Sequence, residues 1–348
     1  MIRALLLTPT APPQLTGNAV TVDRISRGLK SVGILCRIID LSQNTTAQAL
    51  KIAGAFKPDL VHNFHAFKAG PAGLMIKESL GIPMITTMTG TDINIDFQKI
   101  VKRKVILEVL RCSEFVTMFS EQIRHLVRQR VEKIPRVCII HQSILLPQEK
   151  HYDFRKRCRI KDDNIVFLLY GAIRKVKQWP YAIDLLESVR KVNSNFQLIL
   201  AGPVLEENEY RRIKRMITDM PWAVYLGPIE RHRVGPLMET IDIMLNTSMS
   251  ECESNAMMEA MSHGKLVIGR NIPGNASLLK KETGITFLNK NDLREKIIFV
   301  MSHPDHIHRI GRKAAWFLQQ RFSYEKEINS YGDIYCMTLR KKNFSERR

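Results

Sequence analysis

Short apolar runs rich in Val, Ile, Leu and Phe recur along the chain, separated by longer stretches whose apolar positions return at helical spacing. In the first half the runs are IRALLLT (2–8), ILCRIIDL (34–41), DLVHNF (59–64), PMITTMT (83–89), EFVTMFS (114–120) and RVCIIHQSI (136–144). In the second half they are IVFLLYGAI (165–173), FQLILAG (196–202), AVYLG (223–227), IDIMLNT (241–247), KLVIG (265–269) and GITFL (284–288). Strands that are apolar almost throughout, instead of alternating, belong to parallel sheets covered by helices on both faces. Two such series predict an α/β protein of two doubly wound, Rossmann-like domains. The stretch 142–164 is weakly periodic, dense in charge and contains a proline, which marks it as the linker. The domains expected are thus 1–150 and 160–323. Tyr331, Ile334, Tyr335 and Met337/Leu339 are spaced for an amphipathic helix over about 324–342. Periodicity does not say which domain that helix joins.

Composition narrows the class. A chain of 348 residues suits two domains, and 45% hydrophobic with 25% charged residues is a globular balance, not a disordered one. The six cysteines are scattered, with no C-x-x-C pair and no spacing that suits zinc, and read as reduced thiols. The start MIRALLLTPTAPP has too short an apolar run for a signal-peptide core, which needs roughly 7–15 residues. No run reaches the ~18 apolar residues of a membrane span, and a cytoplasmic protein is expected. The net charge of +19 favours an anionic partner: a nucleotide phosphate, a nucleic acid or an acidic membrane surface. The basic residues are dispersed in runs such as KIVKRKV (99–105), RKRCRIK (155–161) and RRIKR (211–215), the habit of solvated faces. No zinc finger, basic zipper or aromatic-interleaved strand is present to read a nucleic acid, and none is expected as partner.

The chemistry concentrates in SECESNAMMEAMSHGKLVIGRNIPGN (250–275). Ser254 or Asn255 is a good N-cap for a helix starting near 255, and Gly264 can take the left-handed position after its end. Ser250 and Glu253 also match a capping box, and Met257, Met258 and Met261 suit a core, so a plain structural helix accounts for part of the pattern. Glu251 precedes the helix and Glu259 lies about one turn inside it. The open N–H groups and the dipole of a helix start suit a diphosphate. Carboxylates on either side are strong acceptors for sugar hydroxyls. A nucleoside diphosphate sugar fits such a site, with one acid for the sugar and one for the ribose.

The segment NTSMSECESNAMMEAMSHGKLVIGRNIPGN (246–275) resembles the E-x7-E region of the group 1 (family 4) retaining glycosyltransferases. LTGNAVTVDRI, TGTD and HQSI extend the likeness over nearly the whole chain. The resemblance implies a GT-B fold: two facing Rossmann-like domains with a cleft, the donor held by the second, the acceptor met by the first, and the last helix returning to the first. It also implies that Glu251 contacts the donor sugar, Glu259 the ribose, and the backbone of Ser254, Asn255 and Ala256 the diphosphate. In YGAIRKVKQWP (170–180) the resemblance aligns Lys177 with a diphosphate-binding lysine; Gly171 precedes it in the strand-to-helix loop. The family's arginine after that glycine is Ala172 here, and Arg174 is the candidate substitute. Gly17 and Asn18, in PTAPPQLTGNAVTVDRISRGLKSVG (9–33), stand where the family has Gly-Gly near the donor phosphates. A plain turn is the alternative, with Asn18 as cap of a helix running from about Ala19 to Gly33. Thr89 and Gly90 replace a His-Gly pair, leaving Asp92, His62 and His65 as further cleft candidates, although strand histidines are more often structural. No Asp-x-Asp at strand ends suggests a metal, so no metal and no cofactor beyond the nucleotide sugar are expected.

The function expected is metal-independent transfer of a sugar, hexosyl-like, from a UDP- or GDP-linked donor to an unidentified acceptor, with retention of configuration. Glu251, Lys177 and Arg174 are the catalytic candidates. The departures at Thr89 and Ala172 keep open a silent GT-B protein that binds nucleotide sugars without turnover. The charge keeps open a nucleic-acid binder.

Overall fold

A computed structural model of the chain describes residues 1–131, 136–145 and 151–345, with side chains to 340. Residues 146–150 of the expected linker lie outside them. The chain forms two compact units, Met1–Ser143 with Phe322–Arg348, and Ile144–Arg321.

The first unit holds β1 (Arg3–Thr8), β2 (Leu35–Asp40), β3 (Leu60–Phe64), β4 (Met84–Thr87), β5 (Phe115–Met118) and β6 (Arg136–Ile139) in the order β2-β1-β3-β4-β5-β6. All neighbours pair in parallel. Every residue of β3, β4 and β5 is buried, as helical crossovers on both faces require. Leu6, Ile25, Phe64, Phe115, Tyr331 and Tyr335 pack in one core. The first helix is Gly17–Ser31, two residues earlier than the expected start and end. Its cap is Thr16, not Asn18: Thr16 is extended, with φ −96° and ψ 160°, and its hydroxyl accepts from Ala19 N. Asn18 is already inside the first turn, where its side chain cannot reach the N–H groups ahead of it.

The last helix, Tyr324–Ser345, belongs to this unit. Arg24 of the first helix donates two bonds, 2.9 and 2.8 Å, to Glu327 of the last. Both side chains are buried, and Ser143 N also donates to Glu327 at 3.1 Å. Thr21 donates to Gln142 at 2.8 Å, so the HQSI segment is tied into the same polar cluster.

The second unit holds β7 (Ile165–Tyr170), β8 (Phe196–Ala201), β9 (Ala223–Tyr225), β10 (Ile243–Asn246), β11 (Leu266–Arg270) and β12 (Ile285–Phe287) in the order β12-β11-β10-β7-β8-β9, again all parallel. Among the described residues, eleven of the twelve strands lie within one of the apolar runs read from the sequence, and β11 passes the end of its run by one residue, to Arg270. Phe167, Trp179, Leu198, Ile243, Ile268 and Phe287 build the core. Counted from β7 this is the dinucleotide-binding order, and the direction of winding reverses between β7 and β10. Connections leave the two strands in opposite directions there, which opens a crevice at their carboxyl ends, the place where such sheets take ligands. Among the described residues, no helix is long and apolar enough to cross a membrane.

Candidate active site

Two loops leave the sheet at that reversal. After β7 the chain turns through Gly171, whose φ of +135° is open to glycine and strained for other residues. It continues through a short 3-10 turn at Lys175–Lys177 into the helix Trp179–Arg190. After β10 the chain passes through residues 247–254 into the helix Asn255–Ser262. The loops are stitched together by backbone: Met249 N donates to Val176 O at 2.9 Å, and Thr247 Oγ1 lies 2.9 and 3.1 Å from the carbonyls of Lys177 and Gln178. Lys177 and Glu251, 74 positions apart, are thereby brought to 2.5 Å between Nζ and Oε1.

Ser248 Oγ donates to the same carboxylate oxygen at 2.7 Å and Asn246 Nδ2 at 3.4 Å. Burial by itself would raise the Glu251 carboxyl. Lys177, with the bonds from Ser248 and Asn246, outweighs it and holds the group below the ordinary carboxylate range. A third loop backs this one. A Cβ at Gly274 would overlap the backbone carbonyls of Glu251 and Cys252, so only glycine allows the short helix Pro273–Ala276 to lie against the acid loop. Next to it Asn275, fully buried, donates to Arg270 O at 2.9 Å and stands 3.4 Å from Asn246 Oδ1. A chain of amides, Asn275 to Asn246, thus ends on Glu251.

The helix begins at Asn255 as expected, with Ser254 buried at the cap position and making no side-chain cap bond. The capping box matched by Ser250 and Glu253 is not formed, because the N-cap position falls at Ser254; Ser250 Oγ is buried without a hydrogen-bond partner among the described residues. The first-turn amides around Ser254, Asn255 and Ala256 have no acceptor within the helix and mark its positive end. Glu259 sits on the buried face and is bonded at 2.5 Å by Arg231 Nη1. Gly264, at φ +68°, follows the helix end. Arg174 stands just before the 3-10 turn, and its Nε is buried without a hydrogen-bond partner among the described residues. A cavity of about 270 Å³ lined by Arg159, Lys161, Arg190 and Trp222 lies where β7 and β8 begin, at the opposite edge of the sheet from the two acids.

The cleft candidates of the first unit fare differently. His62 belongs to the core: it is fully buried, with Nδ1 2.7 Å from Tyr335 OH and Nε2 2.7 Å from Thr87 Oγ1. Burial pushes its pKa down to about 3, so the ring is neutral. Asp92 is fully buried, and both its oxygens face backbone. Oδ2 accepts from Ala66 and Thr89 at 3.1 Å each, and Oδ1 from Gly90 at 2.9 Å and Ile93 at 3.1 Å. It fastens the loops after β3 and β4 and has no face left for a ligand. His65 accepts from Lys68 N at 3.1 Å and lies 2.9 Å from Thr91 Oγ1, which likewise engages both ring nitrogens. Burial is the largest influence on that ring and lowers its pKa. Thr89 is half-buried, Gly90 has φ +111°, and Gly17 opens the first helix, where an added Cβ would meet nothing. Among the described residues, no group of three His, Cys, Asp or Glu side chains is arranged to hold a metal ion.

Arg231, Asn246, Ser248, Gly274 and Asn275 escape the sequence reading. Arg231 sits in a basic run of the kind that covers solvated faces, and only the fold turns it inward. GRNIPGN, directly after a strand, is the one signal that could have flagged Gly274 and Asn275.

Residues 152–316 match the family model described as "Glycosyl transferases group 1". The chain is 25% identical over 326 residues to "Glycosyltransferase 1 domain-containing protein 1" of Xenopus tropicalis, covering 91% of this chain and 93% of that protein. Among solved structures it is similar to a sucrose-phosphate synthase from Thermosynechococcus elongatus, with TM-score 0.85, 16% identity, and coverage of 98% of this chain and 100% of that one. It is also similar to Anabaena Alr3699/HepE in complex with UDP-glucose, with TM-score 0.83, 16% identity, and coverage of 97% and 100%. The match over the second unit and the likeness of the whole fold agree with the E-x7-E segment: residues 152–316 form a group 1 glycosyl transferase domain, in a chain with the GT-B fold.

Proposed function

We propose that the chain transfers a sugar from a nucleotide-sugar donor, UDP- or GDP-linked, to an acceptor with retention of configuration. The observation that carries the reading is the Lys177–Glu251 pair at the winding reversal between β7 and β10. The carboxyl edge of a parallel sheet, a helix start, a cation and an ionised acid meet at one place, and each suits a different part of a sugar diphosphate. The binding of UDP-glucose by the structurally similar HepE supports a donor of this class. In this reading the amides of Ser254, Asn255 and Ala256 and the Lys177 ammonium receive the diphosphate. Arg174, with a donor not yet engaged, turns to the same group. Glu251, kept ionised by Lys177, accepts hydroxyl bonds from the sugar and fixes its anomeric carbon.

Charge grows on the leaving diphosphate as the glycosidic bond breaks. Preorganised cations and amides stabilise that charge, and losing one such donor typically costs roughly 100- to 1,000-fold in rate. No carboxylate is assigned as a nucleophile. The net charge of +19 makes an acidic membrane surface a fitting place to meet the acceptor, which co-sedimentation with anionic vesicles would test.

The test is a panel of UDP- and GDP-sugars scored by thermal shift, followed by release of nucleotide with and without candidate acceptors. A ligand at a hundredfold excess over Kd stabilises by about 2.7 kcal/mol. Binding of one donor, weakened by Lys177→Met, with turnover lost in Glu251→Gln, is the expected outcome. Absence of binding to every nucleotide sugar overturns the proposal. Binding with no release of nucleotide under any acceptor favours the silent protein, to which the alanine at 172 points.

A further inference from the structure

Glu259 is nearly fully buried on its helix, where a carboxylate left without a partner is costly. Its counter-charge comes from an unexpected quarter. Arg231 lies 28 positions earlier, in the 3-10 turn Arg231–Arg233 that follows β9. Its guanidinium is held on more than one side: Nη1 bonds Glu259 at 2.5 Å, and Nη2 donates to Leu145 O at 3.2 Å. The hydroxyl of Tyr170, the last residue of β7, shares the cluster; it interacts with both Arg231 and Glu259. A planar fork fixed at two ends orients the group it binds, which a flexible ammonium does not.

We infer that Arg231 is a positioning residue for nucleotide recognition: it holds the Glu259 carboxylate in one orientation, so that it reads the hydroxyls of a ribose. The inference rests on the reading of Glu259 as the ribose acid and adds what makes that acid competent. A ribose diol is a pair of neutral O–H donors, and only an ionised acid with a fixed plane accepts from both. A rotated Glu259 loses at least one of these bonds. Arg231 itself acts through Glu259, and the ligand feature it controls is the 2′,3′-diol, not the diphosphate.

The test uses the full chain and four probes: UDP, GDP and their 2′,3′-dideoxy counterparts, titrated into wild type, Arg231→Gln, Arg231→Lys and Glu259→Gln. Melting curves establish that each variant is folded, and Arg231→Lys, which keeps the charge, serves if Arg231→Gln does not fold. Wild type is expected to prefer the ribonucleotide over the dideoxy form by about 10- to 100-fold, the range of hydrogen bonds to a charged group. In Arg231→Gln and Glu259→Gln that preference collapses while dideoxy affinity changes less than about twofold, and Arg231→Lys retains part of it. The double variant Arg231→Gln/Glu259→Gln loses no more than either single one. Equal weakening of both probes in Arg231→Gln, or an undiminished preference, overturns the inference and leaves the donor site standing. A wild type that binds both forms equally, or binds neither nucleotide, overturns the assignment of Glu259 and the inference with it.

Discussion

Removing both partners of the Lys177–Glu251 pair is expected to destabilise the second unit by far less than the sum of the two single losses. The two charges are 2.5 Å apart and their side chains are only 13% and 12% exposed. At an effective dielectric constant of about 20, their gross attraction is roughly 6–7 kcal/mol. Desolvation offsets much of that, and breaking a fully buried pair costs about 3–5 kcal/mol, chiefly because an unpaired charge is left behind. The residual exposure here lets water reach the orphaned group, so about 2–3 kcal/mol is expected for Lys177→Met or for Glu251→Gln. For a unit of this size the corresponding shift in Tm is about 4–12 °C. The double variant Lys177→Met/Glu251→Leu leaves no charge behind, and its loss should fall at least about 2 kcal/mol short of the sum of the single changes. Thermal and urea melts of wild type, both singles and the double give that coupling directly. Titration of UDP and GDP adds a second readout: Lys177→Met weakens the nucleotide, whereas Glu251→Gln frees Lys177 and leaves affinity equal or tighter. Single losses that add to the double within about 0.5 kcal/mol would refute the reasoning, since independent sites add to that precision.

Gly274→Ala places a methyl group against the Glu251 carbonyl, and donor turnover should fall sharply with a stability loss of about 1–3 kcal/mol, read by activity assay and urea melt. Asp92→Ala orphans four backbone N–H groups and should destabilise the first unit by at least about 3 kcal/mol, while nucleotide affinity measured below the melt stays unchanged. Burial pushes His62 down to about 3, so between about 6.5 and 3 the unfolded chain takes up a proton that the folded chain excludes. Its contribution is whole above about pH 6.5 and declines as the pH falls, by about 2 kcal/mol at pH 5. Urea midpoints at pH 7 and pH 5 should therefore drop less in His62→Gln than in wild type.

Much of the scaffold could be read without coordinates. β3 is buried throughout and β7 over Val166–Leu169, and burial on both faces leaves an unbroken apolar run in the sequence. The helix at Asn255 and the glycine after it are announced by local chemistry, a short polar residue before an apolar period and a residue free at positive φ behind it. Caps were less legible. Thr16 and Asn18 are both competent, and only the extended backbone at Thr16 decides between them. The first-unit polar residues misled for a related reason: Asp92 and His62 have the composition of a site, but composition does not say that four amides and two hydroxyls have already engaged them.

The two parallel sheets, their division along the chain and the helix start at Asn255 were legible in the sequence alone, because burial period and helix capping act over a few neighbouring residues. Tertiary structure alone decided which charges face each other. Lys177 reaches Glu251, and Arg231 reaches Glu259, across 74 and 28 positions, since pairing in space depends on strand order and loop stitching. Those are set by how β10, β7, β8 and β9 lie side by side, a relation that no local pattern encodes.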